Sequence, residues 1–258
     1  MRKSKVLKKL RNGRFARICG LGHFLPFFIR HASHFNYDGI WLDLEHRTFE
    51  SREIQALLAH CVLHDIDCMV RPPTLERTAL YRYLEEGASG FMIPFVSTPE
   101  IARHVINAVK FPPDGNRGVD GAGLDGDYVL ESWRPGSSYF VDTNRETFIV
   151  AQIETPEAVE NVDSIAAVPG IDCVFVGPGD LGLRLQNSQA ALAKAIEQVA
   201  ASAARHKKAW GITAGSPEVV RRYQQMGAQM VPWGGDFQLI KVLENCSKEL
   251  DSVLGPDT

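Results

Sequence analysis

Glu154 and Asp180, twenty-six positions apart, each stand where an apolar run gives way to a loop, in Val150-Ala-Gln-Ile-Glu154 and in Val174-Phe-Val-Gly-Pro-Gly-Asp180. Two hard carboxylates without a histidine or cysteine cluster suit Mg2+ or Mn2+, with Co2+ also admissible, better than zinc, and water and substrate oxygens would complete the shell. The same placement recurs upstream with other chemistry. One run ends in Asp43, Glu45 and the base His46, another in the cation Arg71, and Gln152 stands two residues before Glu154. A carboxylate pair, a base and a cation on one face can stabilise an oxyanion and move a proton beside it. Each carboxylate taken singly has an ordinary reading as a helix cap or ion-pair partner, and Asp180 could be merely the N-cap of the next helix.

For these residues to meet, the runs that carry them must be strands ending on one face. Strand-like runs at 15–21, 37–43, 67–71, 90–94, 147–153, 172–177, 208–213 and 228–233 alternate with amphipathic patterns near 26–35, 49–64, 74–87, 98–109, 156–167, 187–206, 216–226 and 236–248. Hydrophobicity is continuous in Thr147-Phe-Ile-Val-Ala-Gln152 and Asp172-Cys-Val-Phe-Val-Gly177, as in parallel strands buried on both faces. The alternation predicts an α/β fold, a single (β/α)8 TIM-type barrel over 1–258, with functional groups at the C-terminal ends of the strands. A doubly wound open sheet is the structural rival. Thr98-Pro-Glu100, Thr155-Pro-Glu157 and Ser216-Pro-Glu218 read as helix starts, and Gly87 and Gly227 as stops. Thr213, closing the seventh run, joins the candidates for substrate binding.

The segment 111–146 breaks this rhythm with a cluster of glycine, proline and aspartate, and is expected as a loop excursion at the active-site mouth or a subunit interface. Its aspartates Asp120, Asp125 and Asp127 do not have the spacing of a calcium loop. Gly177-Pro-Gly-Asp-Leu-Gly182 matches a dinucleotide fingerprint by letter, but an aspartate there would repel a pyrophosphate; the amides of Gly179 and Asp180 suit a small carboxylate instead. With 45% hydrophobic residues, 23% charged residues and a formal net charge of −3, the 258-residue chain has an ordinary soluble composition that points to no nucleic-acid partner. No apolar stretch is long enough to span a membrane, and the basic start reads as a solvated helix face carrying Val6, Leu7 and Leu10. A cytoplasmic location follows as the expectation. The odd set Cys19, Cys61, Cys68, Cys173 and Cys246 has no C-x-x-C pair and reads as reduced thiols.

These residues resemble the HpcH/HpaI aldolase family, the class II metal-dependent pyruvate aldolases of the phosphoenolpyruvate/pyruvate-binding barrel superfamily. The resemblance runs from about residue 5 to 245 and is carried by Asp43-Leu-Glu-His46, Arg71-Pro72, Gly87-Ala88 with Met92-Ile-Pro94, Phe111-Pro-Pro-Asp-Gly-Asn-Arg-Gly118, Gln152-Ile-Glu154 and Gly177-Pro-Gly-Asp-Leu181. It implies a metal at Glu154 and Asp180, Arg71 at the keto oxygen, and His46 as the acid/base histidine, with Asp43 a further catalytic candidate. Gln152, Gly179, Asp180 and Thr213 would line the pyruvate site. Glu85 stands where the family has an aspartate that supports the histidine across a subunit contact. Further departures are Val119-Asp-Gly-Ala-Gly-Leu-Asp-Gly126, Cys19 near the usual place of an aromatic, and Asp-Leu-Gly for Asp-Leu-Ser. The resemblance also implies a homo-oligomer, hexamer or trimer, in which a final helix packs on a neighbouring barrel.

The implied reaction is a carbon–carbon lyase step, cleaving or forming a 4-hydroxy-2-oxo acid to pyruvate and an aldehyde through a metal-stabilised pyruvate enolate. A Schiff-base route is disfavoured because no lysine ends a strand on the catalytic face. A citrate-lyase-like or acyl-CoA lyase is the enzymatic alternative, with Arg117, Arg134 and Arg145 as the basic groups CoA would need. A catalytically degenerate barrel that binds an oxo acid is the alternative from another class, motivated by Glu85 and the altered loop.

Overall fold

The computed structural model describes residues 2–255. Its elements in chain order are α1 (Lys5–Arg11), β1 (Ile18–Leu21), α2 (Pro26–His34), β2 (Gly39–Asp43), α3 (Ser51–Leu63), β3 (Asp67–Arg71), α4 (Arg77–Glu85), β4 (Gly90–Ile93), α5 (Pro99–Val109), α6 (Tyr139–Glu146) and β5 (Phe148–Ile153). There follow α7 (Pro156–Glu160), α8 (Val162–Ala166), β6 (Cys173–Val176), α9 (Pro178–Arg184), α10 (Gln189–His206), β7 (Ala209–Ile212), α11 (Pro217–Gln225) and α12 (Leu239–Leu254).

The strands form one parallel sheet in sequence order, β1 to β7. The run at 228–233 was expected as an eighth strand but forms none. Met230 instead makes isolated parallel bridges to Gly211 of β7 and Ala16 ahead of β1, and Gly235 bridges Gly20. Pro232 has no N–H to donate, and Gly234 and Gly235 have φ of 88° and 147°, so a regular ladder cannot run through this segment.

Two buried clusters lie on the two faces of the sheet. The inner one takes Ile18, Met69, Met92, Phe148, Val150, Cys173, Phe175 and Met230, and is closed at the N-terminal end of the strands by Val6, Leu7 and Leu10 of α1. The basic N-terminus thus presents its charged face outward and its apolar face to the core. The outer cluster packs Ile40, Leu42, Val70, Ile149, Ala151, Ile153 and Val174 against the helices. Burial on both faces accounts for the continuous apolar runs.

The helix starts follow their sequence signals: Thr98, Thr155 and Ser216 each accept a hydrogen bond from the backbone N–H three residues on. The pattern at 156–167 divides into α7 and α8 at Asn161, whose amide side chain donates to Ser97 O. Segment 111–146 is less loop-like than expected, since it ends in α6. It follows the flank of α4, where Arg77 donates to Asn116 O and Leu124 lies against Gly87. Its two ends join the C-terminus of α5 to the start of β5.

Candidate active site

Strand alternation explains why distant polar residues share one axis. Along β5, Phe148 and Val150 enter the inner cluster and Ile149, Ala151 and Ile153 the outer one, so the period of two carries Gln152 and Glu154 inward. Met69 and Trp41 set the same parity for Arg71 and Asp43. These side chains continue the inner core past the point where apolar residues stop.

Asp43 and Arg71 are register partners on β2 and β3. Arg71 Nε donates to Asp43 Oδ1 at 3.0 Å and Nη2 lies 2.8 Å from Oδ2, while Nε is 3.2 Å from Glu45 Oε2. The guanidinium stacks over Trp41 at 5.0 Å. Asp43 also accepts from the amides of Glu45 and His46, folding the loop back so that His46 Nε2 lies 3.6 Å from Glu45 Oε2. Burial raises the Asp43 carboxyl, but the Arg71 hydrogen bond and charge with these amides outweigh it and hold it below the usual range. Glu45 goes the other way: burial pushes it up, Arg71 and His46 oppose this, and Asp43 and Asp180 add to it.

Glu154 is 3% exposed. Its Oε1 accepts from Gln152 Nε2 at 3.0 Å and its Oε2 from the Phe95 N–H at 3.1 Å. Burial raises its pKa, the Phe95 amide opposes this, and the charges of Glu45 and Asp180 raise it further. The site thus brings the carboxylates of Glu45, Glu154 and Asp180 within reach of one another's charge, a donor set that a divalent cation would neutralise. Gln152 Oε1 is buried with no hydrogen-bond partner among the described residues, a further oxygen open to a ligand. Gly177 makes room for the glutamate, since a Cβ there would stand 2.3 Å from Glu154 Oε1. Among the described residues no three His, Cys, Asp or Glu side chains form a closed metal cage, so a cation held by Glu154 and Asp180 would depend on substrate and water oxygens.

Asp180 is not the N-cap of its helix; Gly177 is, and Asp180 lies in the first turn of α9. Its Oδ1 pairs with Arg184 at 2.7 Å. Gly179 is exposed beside it, and Thr213 follows β7 directly, partly buried. Glu85 is not brought to His46 within one chain. It ends α4 at the N-terminal rim, where burial raises its carboxyl against the lowering charge of Arg117.

Sequence reasoning missed Phe95 and Arg184. Phe95 acts through its backbone: with φ of 51°, a left-handed conformation costly for an aromatic residue, it aims its N–H at Glu154. Only its place after Met92-Ile-Pro94 hinted at this. Arg184, stacked over Phe95 at 5.2 Å, was open to the i, i+4 rule from Asp180.

The arginines considered for CoA are engaged elsewhere: Arg117 is buried against Asp125, Arg134 pairs with Glu131, and Arg145 with Asp142 and Glu146. The lysine whose pKa is depressed, Lys110 at about 8 through burial, caps α5 at the N-terminal rim. No lysine ends a strand at the catalytic face among the described residues.

A profile of the HpcH/HpaI aldolase/citrate lyase family matches residues 21–241. The chain is 36% identical over 177 residues to a 5-keto-4-deoxy-D-glucarate aldolase of Shigella boydii, covering 67% of each chain. It is 32% identical to a hydroxypyruvate/pyruvate aldolase of Deinococcus radiodurans, covering 79% of this chain and 74% of that one. An HpcH/HpaI aldolase from Desulfitobacterium hafniense superposes with a TM-score of 0.86 at 32% identity, over 95% of both chains.

Proposed function

The chain belongs to the HpcH/HpaI aldolase/citrate lyase family, and from that premise we propose that it is a pyruvate aldolase, a carbon–carbon lyase that cleaves or forms a 4-hydroxy-2-oxo acid to pyruvate and an aldehyde. The observation that carries this reading is the convergence of Arg71, Glu154, Gln152 and Asp43 on one axis at the C-terminal ends of β2, β3 and β5. The bridges of Met230 to both sides of the sheet support a barrel whose eighth strand is reduced to a few contacts.

In the cleavage direction His46 takes the proton of the C4 hydroxyl, and Glu45 at 3.6 Å steadies its ring. Breaking the C3–C4 bond releases the aldehyde and places negative charge on the 2-oxo oxygen of the pyruvate fragment. Arg71, held by Asp43 and Trp41 before the substrate arrives, meets that charge without reorganising. A divalent cation bound at Glu154 and Asp180 supplies Lewis-acid stabilisation of the same charge, with Mg2+ or Mn2+ the ions the oxygen donors suit. Gln152 Oε1 and the amides of Gly179 and Asp180 stand ready to orient the oxo acid. Protonation of the enolate carbon completes pyruvate.

We place the protein in the cytoplasm, where Cys19, Cys61, Cys68 and Cys173 remain buried free thiols. We also propose a homo-oligomer. No residue of α12 is buried, and Leu239, Leu243, Cys246, Leu250 and Val253 form a stripe along it at alternating spacings of four and three, a face that a second copy would cover. Such packing would let Glu85 of one chain serve His46 of another. The CoA reading is weaker, because its arginines are already paired.

The test is pyruvate release from a panel of 4-hydroxy-2-oxo acids, with EDTA and then with Mg2+ or Mn2+ restored. Release that depends on the metal supports the reading. Tight pyruvate binding without any turnover would replace it with a degenerate binding barrel.

A further inference from the structure

The mouth of the site holds a cationic group that the reaction above does not use. Arg47 follows His46 and lies with its guanidinium 4.8 Å from the centre of the Phe237 ring. Its one hydrogen bond among the described residues runs from Nη1 to His46 O at 2.9 Å, and no carboxylate there comes within ion-pair distance. The neighbouring carboxylates are already held. Asp43 and Glu45 face Arg71, and Asp180 faces Arg184. Asp236, 4% exposed, accepts from the Gly22 and Phe237 amides and pairs with His23 Nδ1 at 2.7 Å.

The position of Arg47 is built rather than incidental. His23, fixed by Asp236, packs its ring 5.0 Å from Phe237. Gly22 lets ring and arginine close over the end of β1, since a Cβ there would stand 2.7 Å from Phe237 Cε2 and 3.3 Å from Arg47 Nε. Three segments, after β1, after β2 and after the bridged 228–235 run, therefore combine to present one guanidinium whose remaining N–H groups have no partner among the described residues. The pyruvate end of the substrate belongs to Arg71 and Glu154. A group next to His46, which handles the C4 hydroxyl, lies on the aldehyde side.

We propose that Arg47, seated on Phe237 and buttressed by the His23–Asp236 pair, binds an anionic group, carboxylate or phosphate, at the far end of the aldehyde, so that acid-bearing aldehydes are selected over neutral ones. This rests on the pyruvate aldolase reading. Guanidinium suits both anions because its N–H groups form a planar fork. Bound water fills this role when the aldehyde is neutral, and the preference is the difference between the two.

The test compares kcat/KM for addition of pyruvate to 4-oxobutanoate against butanal, and to glyceraldehyde 3-phosphate against glyceraldehyde. Wild-type protein is expected to prefer the anionic member of at least one pair, which then names carboxylate or phosphate. In Arg47→Met that ratio falls by roughly 10- to 100-fold, the scale of a charge-assisted hydrogen-bond pair, and Arg47→Lys retains part of it. In His23→Leu the ratio falls less, because the platform loosens while the cation stays. A wild-type ratio near one, or a ratio unchanged in Arg47→Met, overturns the proposal. Exchange of the pyruvate methyl protons in D2O, which needs no aldehyde, separates the two levels: exchange without anion preference rejects Arg47 alone, and absence of exchange rejects the aldolase reading with it.

Discussion

Arg71 grips Asp43 through two nitrogens, at 3.0 and 2.8 Å, across neighbouring strands on which the two residues are register partners. The pairing fixes a cation at the floor of the site and consumes Asp43 in doing so. Lysine keeps the charge but cannot form the fork or stack on Trp41. Arg71→Lys is therefore expected to lower kcat about 100- to 1,000-fold, as loss of an oxyanion donor does, while the folded state remains intact by circular dichroism. Steady-state pyruvate release measures it, and a loss below about threefold would remove Arg71 from the account.

Gly177 is required for space rather than for backbone freedom, its φ being −92°. A methyl group at 2.3 Å from Glu154 Oε1 must displace the carboxylate. Gly177→Ala should weaken Mn2+ binding by roughly 10- to 100-fold, the usual effect of disturbing a ligand's support. Calorimetric titration with Mn2+ checks this. Unchanged affinity would mean that Glu154 is not a ligand.

Lys110 gives a pH dependence away from the site. It is buried, and its pKa falls from 10.5 to about 8 despite bonds to Asn144 O and Thr147 O. Between pH 8 and 10.5 the unfolded chain therefore binds more protons at this group than the folded one, and raising the pH favours the fold. Urea unfolding should show the stability of wild type relative to Lys110→Met rising across that window by roughly 3 kcal/mol, at about 1.4 kcal/mol per pKa unit. A flat difference from pH 7 to 10 contradicts the buried ammonium.

The stripe on α12 predicts assembly. Leu243 is 68% and Val253 79% exposed in one chain. Leu243→Asp with Val253→Asp should shift the mass measured by light scattering toward the single chain. An unchanged mass would place the subunit contact elsewhere.

Much of this was legible in the sequence because both signals involved are local. Parallel strands buried on both faces read as unbroken apolar runs, and seven of eight such runs are strands within a few residues of expectation. The eighth failed because Pro232 interrupts an apolar stretch that looks like the others and two glycines at positive φ follow it. The polar residues that end strands were also visible, since Asp43, Arg71, Gln152 and Glu154 inherit their direction from the alternation before them. Roles that depend on distant chain were not. The Phe95 amide reaches Glu154 through a backbone conformation, and the platform under Arg47 joins residues 22, 23, 47, 236 and 237 across the whole length of the chain. Glu85, expected to support the histidine of a neighbouring chain, ends α4 at the other rim of its own chain, and a contact between chains has no trace in the fold of one.

Exchange of the pyruvate methyl protons with D2O, followed by proton NMR, tests the central claim most directly, because it isolates enolate formation from the identity of the aldehyde. Wild-type protein with Mg2+ or Mn2+ is expected to catalyse the exchange, to lose it in EDTA, and to regain it when the metal returns. Glu154→Gln and Asp180→Asn should each reduce it at least 100-fold, on the scale of a lost electrostatic stabiliser. Exchange that survives EDTA, or that both variants retain at the wild-type rate, would contradict the account.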